Sequence, residues 1–170
     1  MPNNNERVIY WDSCVFLSHI NGMPDRLQII NDVTNEIGKD ENSIILTSSE
    51  SIVEVAHALC EKEQKQLDPE VKAAIDAMWD DSRIVEMIDN GPHIAKVARK
   101  LIRDAIPNGW VLKSKDAVHL ASAMWHDKQV RRVDEFQPYD KKLFKYQTMI
   151  GIHIAYPHVI QYRINFDEEK

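Results

Sequence analysis

Short apolar runs alternate along this chain with stretches of helical period, and that alternation narrows the fold class more than any other feature. Val8, Ile9 and Tyr10 form the first run, and residues 43–47 (SIILT) form the second, ending in SSES. Residues 83–88 (RIVEMI) and 150–155 (IGIHIA) supply two more. Continuous apolar runs of this length are what strands buried on both faces look like. Between the runs, Leu27, Ile30, Val33, Thr34 and Ile37 recur at helical spacing behind Pro24 and a capping Asp25. The pattern predicts a long helix over 49–66 and a further one opened by Pro69, with Val71, Ala74, Ile75 and Met78 on one face. Ile94, Val97, Ala98, Leu101 and Ile102 mark another, stopped by Ile106-Pro107-Asn108-Gly109, and the next begins near Ser114 and runs to about Trp125. Residues 130–139 read as a strand roughened by Pro138, and 159–166 as an extra edge strand. Strands alternating with helices imply an α/β protein with a largely parallel sheet covered on both faces.

The 170 residues, 44% hydrophobic and 28% charged, suit one globular domain spanning 1–170 rather than a disordered or fibrous protein. No run approaches the roughly 18 apolar residues needed to cross a bilayer. The opening MPNNNERVIYW lacks the basic and apolar regions of a secretory leader, so a cytoplasmic protein without membrane contact is expected. Cys14 and Cys60 have neither metal-ligand spacing nor the density of a disulfide framework, and both are expected as small buried apolar residues. The asparagine-rich start and the DEEK end are expected to fray.

A net charge of −6 at first sight opposes a polyanionic partner. The charge is unevenly spread, however. Residues 96–145 hold twelve Lys and Arg against six Asp and Glu, or +6, which leaves 9 minus 21, or −12, for the remainder. An exposed helix face accounts equally well for part of this excess, because Lys96, Arg99, Lys100 and Arg103 sit three and four residues apart.

Three carboxylates carry the functional signal. Asp12 follows the first strand, Glu54 lies in the first turns of the helix after the second, and Asp116 stands in the first turn of its own helix. Singly, each has an ordinary explanation. Asp12 suits an Asx turn or a helix cap, Ser51-x-x-Glu54 fits a capping box, and Asp116 gains from the helix dipole without any function. Together they mark strand-to-helix junctions, which in a parallel sheet lie along one edge, where ligands bind. Acids gathered there repel one another unless a cation sits among them. Oxygen-only ligation with waters retained suits Mg²⁺ or Mn²⁺, and such ions turn a bound water into a nucleophile against a phosphodiester. Glu54-x-x-His57 and Asp116-x-x-His119 also have the Glu-x-x-His spacing of di-iron bundles. That site needs two further glutamates on long partner helices, whereas here strand signals precede both elements.

The blocks YWDSCVFL, SESIVEVAHAL, LKSKDAVHLASAM and PYDKKLFKY, in this order, resemble the PIN-domain family of metal-dependent ribonucleases, most closely VapC-like toxins and their stand-alone bacterial relatives. The resemblance covers residues 7–157, leaving 158–170 as a C-terminal extension with no assigned role. Its most specific part is Lys-x-x-Asp-Ala-x-His-Leu-Ala at 113–121. It implies a three-layer α/β/α sandwich with a central, mainly parallel sheet, a Mg²⁺ or Mn²⁺ site, and hydrolysis of RNA. Asp12 matches the acid ending the first strand, and Ser13 the small hydroxyl residue that helps order the site. Glu54 matches the helix acid, Asp116 the third acid, and Asp140 the fourth, within Gln137-Pro138-Tyr139-Asp140. All four would be catalytic and metal-ligating. Pro138 stands where Thr or Ser is common, so a hydroxyl that would position a water or metal is absent, and Asp134 is the other candidate for the fourth acid. Trp11 is bulkier than usual before the first acid and would narrow the cleft.

Lys113, Lys115, Arg131 and Lys141 would offset phosphate charge around the acids. The partners implied by the resemblance are an RNA substrate, a small antitoxin and a second copy in a homodimer. The leading expectation is therefore a metal-dependent endoribonuclease acting as the toxin of a toxin–antitoxin module. The departure at Pro138 keeps a second reading open, a non-catalytic PIN-like module that binds RNA or protein without cutting.

Overall fold

The computed structural model describes residues 7–160 apart from 82. Its organising element is β1 (Val8–Trp11), whose four residues are all buried. Alternation along β1 serves two cores at once. Ile9 and Trp11 point into one, with Val15, Phe16, Ile30, Val33 and Ile37, while Val8 and Tyr10 point into the other, with Ile94, Ala98, Leu120 and Phe136.

Around β1 stand β2 (Ile44–Ser48), β3 (Val85–Ile88), β4 (Glu135–Gln137) and β5 (His153–Ile154), in the spatial order β3-β2-β1-β4-β5 with every pair parallel. The first face is covered by α1 (Ser13–Ile20), α2 (Pro24–Ile37) and α5 (Pro69–Asp80), the second by α6 (Pro92–Ala105) and α7 (Ser114–Gln129), which pack on each other. The expected three-layer α/β/α sandwich with a parallel sheet is the observed fold. The chain runs from β1 outward to β3 and then returns to place β4 on the other side of β1. The β1–β4 seam is therefore the topological switch point, and its carboxyl end is the natural crevice of such a sheet.

Several local expectations are corrected. The helix expected over 49–66 is two short ones, α3 (Glu50–Glu54) and α4 (Leu59–Gln64). Val55, fully buried, pulls the chain inward between them, and the Glu61 carboxylate starts the second helix afresh by accepting from the Ala58 N–H at 3.0 Å and from the Asp68 N–H at 2.7 Å. The strand expected over 130–139 shortens to β4, and most of that over 150–155 is the end of α8 (Gln147–Ile150) and a turn before β5. Helix α1 and the 3₁₀ turn Lys141–Tyr146 appear where no element was expected. The edge strand expected over 159–166 lies outside the described residues beyond 160, as do the asparagine-rich start and the DEEK end.

At the amino end of the sheet, Arg7 is buried to 4% exposure and donates to Glu36 Oε1 at 3.0 Å, to Glu135 Oε2 at 3.2 Å and to the His158 carbonyl at 2.9 Å. Its backbone N–H donates to Ser43 Oγ. One guanidinium thus ties α2, β4 and the segment after β5 to the first strand. Removing one partner of a buried ion pair leaves the others uncompensated, so Arg7→Ala should cost about 3 kcal/mol of folding free energy. Urea unfolding measures this; a loss below about 1 kcal/mol would place the arginine in the range of surface ion pairs and contradict the assignment.

Candidate functional site

Asp12 is the first residue after β1 and occupies the N-cap position of α1, yet its carboxylate makes no capping hydrogen bond. It accepts instead from the Cys14 thiol at 2.7 Å, and Cys14 Sγ in turn accepts from the Tyr139 N–H at 3.2 Å. The thiol thereby joins the end of β1 to the loop after β4. Glu54 closes α3, which lies against α7, and Asp116 stands in the first turn of α7. Ser51, which a capping box would pair with Glu54, has its hydroxyl on Thr47 Oγ1 at 2.8 Å. Asp140 begins the 3₁₀ turn Lys141–Tyr146, accepts from the Lys142 N–H at 2.9 Å and is exposed. All four acids, with Ser13, Cys14, Lys113, Ser114, Lys115 and His119, line one cleft of about 580 Å³ at the carboxyl edge of the sheet.

The acids there are electrostatically unequal. Burial pushes the Asp12 carboxyl up to about 6, the Asp116 charge adding to the rise, while the charge of His119 and the Cys14 thiol oppose it. Burial also raises the Asp116 carboxyl; Lys113 works against the rise and Asp140 with it. Glu54 behaves in the opposite way. Burial alone would raise it, but hydrogen bonds from His119 and Ser13, the charge of His119 and a hydrogen bond from Lys115 together bring it down to about 2. His119 Nε2 lies 3.0 Å from Glu54 Oε2, and Lys115 Nζ lies 3.1 Å from Oε1. Glu54 is thus compensated from within the chain, whereas for Asp12 and Asp116 burial outweighs the opposing charges of His119 and Lys113 and leaves both carboxyls raised.

The structure separates other expected contributors. Asp134 sits at the opposite edge, at the start of β4, where Oδ2 accepts from the Val8 N–H at 2.9 Å; of the two candidates for the fourth acid, only Asp140 lines the cleft. Arg131 is also outside the cleft and donates to the Asn42 carbonyl. Lys113 and Lys115 line the cleft, and Lys141 follows Asp140 on an exposed turn. Trp11 does not narrow the cleft: its side chain is in the core of the opposite face, against Phe16, with Nε1 donating to Gln137 Oε1 at 2.8 Å. Cys14 is half-buried and polar in role, and Cys60 is exposed, so neither is the buried apolar residue expected. His57 lies beyond the end of α3 and is exposed, which leaves no second carboxylate–imidazole helix pair for a di-iron arrangement among the described residues.

Asp12 carries a measurable folding penalty. Its folded-state value lies above the unfolded one, so protonation favours the fold. The penalty is absent below pH 4, grows as pH rises through about 6, and reaches on the order of 3 kcal/mol at neutral pH. Asp12→Asn retains an acceptor for the Cys14 thiol and removes the charge. With EDTA present it should melt several degrees above the wild type at pH 7.5, and the gap should narrow at pH 5. Equal melting temperatures at pH 7.5, or a gap that widens at pH 5, would contradict the burial of an uncompensated charge.

Neither a scan of protein-family models nor a search of curated protein sequences finds a match. Solved structures do match. A chain of VapBC2 from Rickettsia felis, bound to a DNA fragment from the promoter, is 15% identical with a TM-score of 0.61, covering 87% of this chain and 98% of its own. VapBC from Salmonella typhimurium, also bound to DNA, is 17% identical with a TM-score of 0.59, covering 88% of this chain and 97% of its own. VapC20 from Mycobacterium tuberculosis, described as a sarcin-ricin loop cleaving toxin, is 13% identical with a TM-score of 0.56, covering 78% and 90%. The five-stranded parallel sheet and its flanking helices are therefore those of the VapC-like PIN-domain fold.

Proposed function

We propose that this chain is a metal-dependent endoribonuclease that hydrolyses RNA phosphodiester bonds, and that it is the toxin of a toxin–antitoxin pair. The observation that carries the proposal is the convergence of Asp12, Glu54, Asp116 and Asp140, from four separate parts of the chain, on one cleft at the switch point of the sheet. The donor set is compatible with Mg²⁺ or Mn²⁺. Among the described residues no three Asp, Glu, His or Cys side chains converge closely enough to cage an ion by themselves. Mg²⁺ is ordinarily held by one or two carboxylates with several waters and substrate oxygens, so such a cage is not required. Asp12 and Asp116, each with its carboxyl raised by burial and by a neighbouring acid, would hold the ion, with Asp140 at the exposed rim and Glu54 alongside. A divalent ion bound there would supply an activated water and stabilise the departing oxygen.

The chain's own residues do the rest. Lys113 and Lys115 border the acids and would receive the phosphates flanking the scissile bond. Ser13 hydrogen-bonds Glu54, and Cys14 orients Asp12 while fixing the loop that carries Asp140. VapC20's description as a sarcin-ricin loop cleaving toxin supports the RNA substrate, and the VapBC complexes among the similar structures support a small antitoxin partner. A homodimer and a cytoplasmic setting belong to the same reading, and no helix among the described residues is long and apolar enough to cross a membrane.

Asp116→Asn should abolish Mg²⁺-dependent cleavage of RNA while leaving the melting temperature unchanged or raised; full activity in that variant would refute the assignment. The alternative, a module that binds RNA or protein without cutting, draws support from Pro138 and from the lysine and histidine already engaging Glu54. Metal titration separates the two, because a ligand bound only by the folded state stabilises it by mass action. Millimolar Mn²⁺ should raise the melting temperature of the wild type, and no shift would favour the binding module.

A further inference from the structure

Behind the cleft, two buried side chains end on Glu54. Tyr10 on β1 is fully buried and His119 on α7 is 2% exposed. Tyr10 Oη lies 2.9 Å from His119 Nδ1, and His119 Nε2 lies 3.0 Å from Glu54 Oε2. The other carboxylate oxygen meets Lys115, whose side chain is 61% exposed against 3% for His119. One oxygen is thus held from the protein interior by a group that has nowhere to go, the other from solvent by a long flexible one.

The hydrogen positions follow from the chemistry of the groups. An ionised carboxylate only accepts, so His119 Nε2 carries the hydrogen donated to Glu54, which leaves Nδ1 facing the Tyr10 hydroxyl. The tyrosine is itself immobilised, stacked on Phe136 with ring centroids 5.0 Å apart and edge-on to the His119 ring at 6.0 Å. Because β1 is the central strand and buried along its length, the relay anchors Glu54 to the core of the fold. We propose that His119, locked by Tyr10, is a positioning residue that fixes the Glu54 carboxylate at the wall of the cleft. The proposal rests on the nuclease reading for its consequence in catalysis, though not for its geometry.

The test compares His119→Ala, His119→Gln and Tyr10→Phe. A glutamine amide nitrogen can stand near the place of Nε2 and donate to Glu54, so the glutamine variant should recover what alanine loses. Partners that orient metal ligands typically matter about 10- to 100-fold in metal affinity or activity. His119→Ala should therefore lower kcat, or raise the Mn²⁺ concentration for half-maximal cleavage, by about tenfold or more, with KM for RNA within about twofold. His119→Gln should stay within about threefold of wild type, and Tyr10→Phe should fall between the two. Unchanged kcat and Mn²⁺ dependence in the alanine variant, or a glutamine variant as impaired as alanine at equal melting temperature, would overturn the role. The geometry has its own readout: in nitrogen-15 NMR of the wild type, His119 should carry a proton on Nε2 protected from exchange, lost from protection in Glu54→Gln. If the wild type shows no Mn²⁺-dependent cleavage, the nuclease reading fails while this measurement still decides the relay; an Nε2 without a proton would overturn the relay itself.

Discussion

A carboxylate buried at the end of the central strand is the constraint around which the rest of the molecule is arranged. Asp12 is 6% exposed, and an ionised acid in that position is stable only if the chain or a ligand compensates it. The fold places it there unavoidably, because β1 is flanked by β2 on one side and β4 on the other and both neighbours deliver their own acids to the same edge. On Asp12 the chain supplies the charge of His119 and the Cys14 thiol hydrogen bond but no lysine, whereas Glu54, a few residues beyond β2, has both His119 and Lys115 in direct contact. The resulting asymmetry divides the cleft into a compensated half and an uncompensated half, and the second is where a divalent cation gains most.

The satisfied ion-pair network and the acids of the cleft are kept at opposite edges of the sheet. Arg7, Glu36, Glu135 and His158 form a satisfied network at the amino edge, and Asp134 joins that side by accepting from the backbone of β1. Each acid there has a fixed protein partner. At the carboxyl edge burial raises the Asp12 carboxyl, with the Asp116 charge adding to the rise, a cost in folding free energy that residues of a purely structural site would have no reason to carry. The contrast between the two edges is a stronger pointer to function than the presence of acids alone.

Much of this is legible in the amino-acid sequence. Strand-length apolar runs alternating with helical periods fix an α/β sheet, and acids at strand ends converge once the strands are parallel. Asp12, Glu54 and Asp140 reach the cleft for that reason, following β1, β2 and β4, whereas Asp116 corrects the expectation of a strand-to-helix junction: it follows α6 and the 3₁₀ turn Ile106–Asn108 and reaches the cleft from the first turn of α7. What escaped reading was decided by contacts distant in sequence. The break between α3 and α4 depends on buried Val55 and on the Leu59 N–H donating to Asn21, 38 residues away, neither of which perturbs the local helical pattern. His119 meets Glu54 across 65 residues, so its role is invisible to spacing within α7. Trp11 was a different case: period-two alternation already puts it on the Ile9 face, away from Tyr10, and that signal was available. The choice between Asp134 and Asp140 turned on where a three-residue strand begins and ends, the least reliable boundary to place from sequence.

The central claim is that Asp12 and Asp116 share a cation. The most direct measurement is anomalous X-ray diffraction from crystals soaked in MnCl₂. The account predicts an anomalous peak in the cleft within about 2.0–2.3 Å of carboxylate oxygens of both Asp12 and Asp116, with waters completing the shell. A peak bound elsewhere on the molecule with that pair left untouched, at Mn²⁺ concentrations of several millimolar, would contradict it.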